Sequence, residues 1–383
     1  MIKLIDKKLG MKNPKWLSEV PPGRLLSLDI YRGFAMLFLI AETTGLYDLM
    51  ISPSLQGTLI HTVGKQFQHH PWHGLTLWDM VQSFFMFISG VAMAFSYGKR
   101  FERGDDWKNC FQHAAVRALA LYLLGWALYI VNPPEGAPGW AFLIDILPAL
   151  AFGSLVAFLV FRWSAGQQLV FSGVLLLITE LLYRLWPAEG FNQAFVAGHN
   201  FGSYLDLKLW GSLNPEGWVT FNMIPSAAYL IWGVIVGKMM RSDIEARKKL
   251  KLLIIAGTAG IGLGLALNPI TPIIKKISTS SFMIISLGFS LLFLALAFFI
   301  IDILRFRRLF LIPAATGMNP LFIYLFARSG GADWFSNLVR PFSEAFLGWA
   351  GDGWVQAGTA LGSLTLMCLL CNVMFTKKCF LRI

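Results

Sequence analysis

Charge is scarce in this chain. Asp, Glu, Lys and Arg make up 14% of its 383 residues, against 56% hydrophobic. Soluble domains carry about 25% charged residues, so a globule of this length would lack the polar surface to coat it. Cysteine is scarcer still. Cys368 and Cys371 form a CxxC inside an apolar run, with no second pair to complete a zinc site. These two read as buried, inert thiols, and with Cys110 and Cys379 near the expected cytoplasmic face no disulfide framework is implied. Also missing is the pattern of a cleavable signal peptide. Residues 1–23 carry Lys3, Lys7, Lys8, Lys12 and Lys15 and no apolar core before Pro21 and Pro22, so insertion is expected to use the first span.

Apolar runs are abundant. Mean hydropathy is +0.60, and stretches such as 252–267 and 282–301 are long enough to cross most of a ~30 Å hydrocarbon core as helices. A helix is the one open segment that satisfies its own backbone there. The expected fold is therefore an all-α integral membrane protein, about ten transmembrane helices in one bundle. The spans are placed at 27–48, 75–97, 110–131, 140–161, 168–186, 217–238, 250–268, 281–303, 308–327 and 353–375. The expected division is a cytoplasmic segment 1–26, a transmembrane domain 27–376 and a cytoplasmic tail 377–383.

The net charge of +11 would suggest nucleic acid in a soluble protein. With the N-terminus inside, 24 of the 32 Lys and Arg fall on the cytoplasmic side. The opposite side keeps Lys65, Arg184, Lys208, Lys275, Lys276, Arg328 and Arg340, and Arg32 lies within the first span. This is the positive-inside bias, and it removes the nucleic-acid reading. The basic inward loop 241–251 reads as a surface helix against anionic lipid headgroups. The outward loops 49–74 and 187–216 are long and rich in Gly, Pro, Trp, His and Asn, where chemistry is commonly placed.

Asp29 and Arg32 open the first span one helical turn apart and can pair at the cytoplasmic membrane edge, either as a structural neutral pair or as part of a site. Glu42 lies ten residues beyond Arg32, about 15 Å along the helix, where a carboxylate suits general-base work or is satisfied by neighbouring donors. His61, His69, His70 and His73, four of the six histidines, share one outward loop, followed by Asp79 at the entry to the second span. Three readings compete for His69, His70 and His73: metal ligands, interfacial residues beside a Trp belt, or a base or acyl carrier oriented by Asp79 or Glu42. HHxxH lacks the acidic residue of zincin motifs, and no metal is expected. Asn200, Tyr204 and Asp206 are candidates to hydrogen-bond a sugar, or are turns and caps. Glu216 suits a helix N-terminus, and Asn319 and Tyr324 are either ligand contacts or packing between helices.

The segment Arg24-x-x-Ser27-Leu28-Asp29-x-x-Arg32-Gly33, followed by His69-His70-Pro71-Trp72-His73-Gly74-Leu75-Thr76-x-x-Asp79, resembles the transmembrane acyltransferases typified by heparan-α-glucosaminide N-acetyltransferase. Asn214-Pro215-Glu216-Gly217-Trp218-Val219-Thr220 is similar to that family's Asp-Pro-Glu-Gly-x-x-Thr signature, and Gly317-Met318-Asn319 with Tyr324 to its Gly-Met-Asn segment. The likeness runs from Arg24 to Tyr324. It departs at Thr43, where the family has Asn, at Asn214, and at 143–148, where a basic motif is replaced.

The resemblance implies acetyl-CoA as donor, an amino sugar or glycan as acceptor, and His69 as catalytic residue with Glu42 and Asp79 beside it. With that chemistry, the expected acceptor contacts are His70, Trp72, His73, Asn200, Asp206, Glu216, Asn319 and Tyr324, and the expected donor contacts Asp29, Arg32 and Thr43. The resemblance allows a homodimer, and it points to a multi-pass inner-membrane protein with the histidine loop facing the periplasm or exterior. A sugar or cell-wall-fragment transporter using the same cavity without chemistry is the alternative, and a non-catalytic relative acting as a membrane partner is a third.

Overall fold

The computed structural model describes residues 16–17, 25–133, 136 and 138–381. The expected segment 1–26 lies outside the described residues except for Trp16, Leu17, Leu25 and Leu26, as does Arg24 of the first motif, and the tail 377–383 lacks its last two. Among the described residues there are helices and no strand. The main ones are α1 (Leu26–Glu42), α2 (Leu77–Glu102), α3 (Trp107–Val131), α4 (Ile146–Leu159), α5 (Ala165–Leu185), α6 (Phe201–Trp210), α7 (Met223–Arg241), α8 (Ala246–Leu267), α9 (Ser280–Phe298), α10 (Leu311–Met318), α11 (Pro320–Phe326), α12 (Ala332–Leu347) and α13 (Asp352–Thr376). Seven are long and apolar enough to cross a membrane: α2, α3, α5, α7 with its lead-in from Thr220, α8, α9 continued to Ile303, and α13.

The other three expected spans are shorter helices. The first is 17 residues and the fourth 14. The expected span 308–327 is broken in two. α10 ends after eight residues at Asn319, whose backbone is non-helical (φ −131°, ψ 46°), and Pro320 opens α11. Proline has no N–H to give and pushes the residue before it out of the helical region, so an unbroken helix is blocked there.

The chain divides into two compact units, one of residues 66–292, the other of the described residues up to Lys65 and from Phe293 on. In the first, α2 and α7 pack most closely. A Cβ on Gly90 would fall 2.1 Å from the Leu230 carbonyl oxygen, and one on Gly233 would fall 2.2 Å from that of Phe87. Small residues at such a crossing let backbones touch, which is how helices gain packing energy in lipid. Both helices begin in the loops that carry the candidate site, so this contact sets where those loops start.

In the second unit α10 packs on α1 through Gly33 and Gly317, whose Cβ atoms would clash with the Pro313 and Asp29 carbonyls. The motif glycines around Asp29 and Asn319 are thus packing requirements. Tyr31, fully buried, lies 4.7 Å from the Phe293 ring. α12, absent from the sequence reading, runs antiparallel to α13, with Ser363 Oγ donating to the Ala332 carbonyl at 3.2 Å. Ala332, Phe335 and Ser343 of α12 are buried, while Trp334, Leu338, Phe342 and Phe346 form an exposed apolar stripe. Asp333, Asn337, Arg340 and Glu344 lower its overall hydropathy, which hides it from a search for apolar runs.

Gly233→Val should lower the unfolding temperature of the detergent-purified protein or suppress its yield, at a cost of at least about 2 kcal/mol. Gly262→Ala, where a Cβ would meet nothing within 4 Å, should be neutral or stabilising by up to about 1 kcal/mol. Thermal unfolding of the two side by side would expose a loose α2–α7 contact if they behaved alike.

Candidate functional site

α2 starts with a capping box. Thr76 Oγ1 accepts from the Asp79 amide at 3.4 Å, and Asp79 Oδ2 accepts from the Thr76 amide at 3.1 Å. Such reciprocal bonds satisfy helix-end donors that have no intrahelical partner. Asp79 Oδ2 also accepts from the His70 amide at 3.2 Å, and Thr76 Oγ1 lies 2.8 Å from the Gln68 carbonyl. The loop is thereby folded back over the helix start, and His69 is delivered to the other carboxylate oxygen, with Nδ1 2.9 Å from Asp79 Oδ1.

A carboxylate can only accept, so this short contact puts the imidazole proton on Nδ1. Nε2 of the neutral ring then carries a free lone pair. Asp79 is 1% exposed while the His69 side chain is 40% exposed, so the imidazole is the member of the pair that a ligand can reach. Lys275 Nζ stands 3.8 Å from Asp79 Oδ1 and 3.3 Å from His69 Nδ1. Facing a protonated Nδ1, the ammonium acts through its charge: it balances the buried carboxylate and opposes a second positive charge on the ring. Burial, and then Lys275, hold His69 below the ordinary histidine value of 6.5, against the opposing pull of Asp79. Lys276 is held below the ordinary lysine range by burial.

Trp218 closes one side. Its ring stands edge-on to His69, centroids 5.5 Å apart, with Lys275 and Lys276 ammonium groups 5.3 and 5.7 Å from its centroid, within cation–π range. The turn before it is built by Asn214, which accepts from the Glu216 amide at 2.9 Å through its side chain and from the Gly217 amide at 3.0 Å through its carbonyl. Gly217 sits at φ +81°, a region costly for other residues. Glu216 Oε2 accepts from Trp218 Nε1 at 3.0 Å, and its carbonyl from Lys276 at 2.7 Å.

The three motif histidines part company. His70 packs on Gly74, and His73 Nε2 lies 3.0 Å from Asn268 Oδ1. Among the described residues no three His, Cys, Asp or Glu side chains gather as metal ligands. Trp72 donates to the Phe195 carbonyl at 2.7 Å and packs beside Gly217, pinning the two long loops together. Asn200, fully buried, caps α6 by accepting from the Ser203 amide at 3.1 Å and donates to the Val196 carbonyl at 2.8 Å. Asp206, 1% exposed, accepts from the Thr220 amide and hydroxyl. Burial pushes it up to about 6.

Glu42, Thr43, Asp29, Arg32, Asn319 and Tyr324 belong to the other unit. There Arg32 lies 3.5 Å from Asp29 and donates to the Gly317 carbonyl at 3.2 Å. Thr43 Oγ1 donates to the Ile40 carbonyl, Glu42 is exposed at the end of α1, and Tyr324 is buried. Asn319 accepts from the Leu381 amide and donates to the Cys379 carbonyl, both at 3.0 Å.

Lys275, Lys276 and Trp218 were not singled out from sequence. A signal existed: two adjacent lysines on the face that the expected topology leaves poor in cations.

Residues 24–264 match the family described as the catalytic region of heparan-alpha-glucosaminide N-acetyltransferase. The human heparan-alpha-glucosaminide N-acetyltransferase is 31% identical over 119 residues, 30% of this chain but 15% of that protein's length. The Gly317–Tyr324 likeness lies beyond the matched segment.

Asp206 gives a pH-dependent prediction. Its pKa is raised on folding from 3.8 to about 6, so the folded state binds more protons between those values and stability falls as pH rises through that window. Asp206→Asn keeps an acceptor for Thr220 and should remove this slope. Unfolding temperatures of both proteins between pH 4 and 7 check it, and parallel curves would show that Asp206 titrates normally.

Proposed function

From its membership of the heparan-alpha-glucosaminide N-acetyltransferase family, we infer that this membrane protein is an acyltransferase that moves an acetyl group from cytoplasmic acetyl-CoA to the amine of an extracytoplasmic amino sugar or glycan. The supporting observation is the His69–Asp79 pair, in which Nδ1 meets a buried carboxylate while the imidazole side chain is 40% exposed. In this reading Nε2 takes the proton of the acceptor amine as nitrogen bonds to the thioester carbonyl carbon. The C–S bond then breaks, and the imidazolium returns its proton to the departing CoA thiolate. Asp79 orients the ring and stabilises the imidazolium, and Lys275 keeps the resting ring neutral.

His70, Trp72 and His73 line the loop on which the acceptor arrives, and Glu216 offers a carboxylate to an amine. Asn200 and Asp206 support that region as caps. The remaining proposed contacts are Glu42 on the catalytic side, Asn319 and Tyr324 toward the acceptor, and Asp29, Arg32 and Thr43 toward the donor. The topology makes the chemistry useful, since donor and acceptor lie on opposite faces of an inner membrane, and a homodimer is compatible with it.

Transfer of radiolabelled acetyl from acetyl-CoA to glucosamine-type acceptors tests this directly. His69→Ala should lower kcat on the order of 10²- to 10⁴-fold with acetyl-CoA binding retained. Activity that survives in His69→Ala, or sugar uptake with no dependence on CoA, would overturn the assignment. The base must be neutral, so the acidic limb of the kcat/KM profile should lie below pH 6.5. Lys275→Met removes a cation that opposes protonation and should move that limb to higher pH. A limb unmoved by this change would release Lys275 from the role.

Sidedness has its own check. In a Cys379→Ser background, a cysteine introduced at Lys65 should react with an impermeant maleimide in intact cells, and one at Glu245 only after permeabilisation. The reverse pattern would invert the topology.

A further inference from the structure

Helices α5, α7, α8 and α9 leave between them a crevice of about 300 Å³, whose walls include Leu169, Trp232, Val236, Leu253, Ala256 and Leu287. The size is that of a small-molecule site, but no polar group is offered inside: the Trp232 indole N–H is already given to Ser172 Oγ at 2.8 Å. Any occupant of the crevice is therefore hydrocarbon.

The end of the crevice is different. α8 begins with Arg247, Lys248, Lys249 and Lys251, immediately before the wall residues Leu252 and Leu253. Lys248 is four residues before Leu252, so cation and wall share one helix face. Lys249 is engaged with the Met240 and Ser242 carbonyls, at 2.8 and 2.6 Å. Arg247, Lys248 and Lys251 are exposed, and none of them pairs with a carboxylate among the described residues. The acidic neighbours Asp243 and Glu245 are outnumbered by the four cations. A dry slot that runs up to a basic helix start fits a molecule with an alkyl chain and an anionic head.

We propose that this crevice binds one anionic glycerophospholipid, an acyl chain between α5, α7, α8 and α9 and the headgroup phosphate at the basic start of α8, with Lys248 nearest and Arg247 and Lys251 adding to the local positive potential. The site shares no residue with the His69 cluster, and it stands whether or not that cluster transfers acetyl groups. Cations beside an anionic headgroup favour binding by roughly fivefold each.

Native mass spectrometry of the full detergent-purified chain, titrated with phosphatidylglycerol or with phosphatidylcholine of the same acyl chains, tests it. Phosphatidylglycerol should be retained at one copy, with a preference on the order of tenfold or more. The combined Arg247→Ala, Lys248→Ala and Lys251→Ala variant should bring the two lipids close to parity. Ala256→Trp fills the slot and should lower retention of both. Equal retention by the wild type, or a preference that survives the triple change, would overturn the proposal. Should Ala256→Trp fail to fold, quenching by brominated phosphatidylglycerol replaces it: the quenched fraction should drop in Trp232→Phe, and an unchanged fraction counts against the site.

Discussion

Asp79 makes the His69 arrangement possible, and it does so as a helix cap. One carboxylate oxygen takes the amides of Thr76 and His70, which closes the start of α2 and folds the loop back on itself. The other takes His69 Nδ1. A carboxylate this deeply buried is costly unless donors and opposite charge surround it. Here the donors are backbone amides at a helix N-terminus, where the peptide dipoles also favour negative charge, and the opposite charge is Lys275. The geometry of the histidine is therefore fixed by the same bonds that start the helix. A change at Asp79 would act on loop, helix end and imidazole together.

Rigid contacts behind the cap keep its position. α2 is locked to α7 by the glycine approach at Gly90 and Gly233, and α7 follows directly from the turn that holds Trp218. The segment 270–279, which brings Lys275 and Lys276, is tied to that region by Asn222, which donates to the Lys276 carbonyl at 3.4 Å, and by the Ser226–Ser278 hydroxyl pair at 3.3 Å. It is tied to the histidine loop by the Gly74 amide, which donates to the Ile273 carbonyl at 2.9 Å. Three loops spread over some 200 residues of sequence thus converge through backbone and short side-chain bonds, to which the Lys275 and Lys276 side chains add. The imidazole environment, with its lowered proton affinity, follows from that convergence.

The membrane class and the His69–Asp79 pairing could be read in the sequence because each rests on a local signal: apolar length, or residues ten apart brought together by one loop and one helical turn. The Lys275 contact could not, since it depends on how two loops 200 residues apart meet. For Asn200 and Asp206 the sequence allows either ligand groups or caps, and they make cap-type bonds. Nothing local separates the two, because the same side-chain oxygens that recognise a sugar also satisfy a helix start. The break at Asn319–Pro320 was visible in principle, proline being a plain helix breaker, but an apolar average over 308–327 passes across it. α12 escaped for the converse reason, its polar stripe diluting a strongly apolar one.

In the topology expected from the sequence, Lys275 and Lys276 run against the charge bias. Positive charge on the face that is otherwise poor in it carries no benefit for insertion, and burying it costs desolvation. What offsets that cost is local: the Trp218 face, the Glu216 carbonyl and the Asp79 carboxylate. Two cations, one buried carboxylate and a neutral imidazole then form a set in which adding a proton to the ring is opposed by both lysines and assisted by one acid. An imidazole held in that balance has its proton affinity lowered, and the carboxylate beneath it is already in place to stabilise a positive charge on the ring.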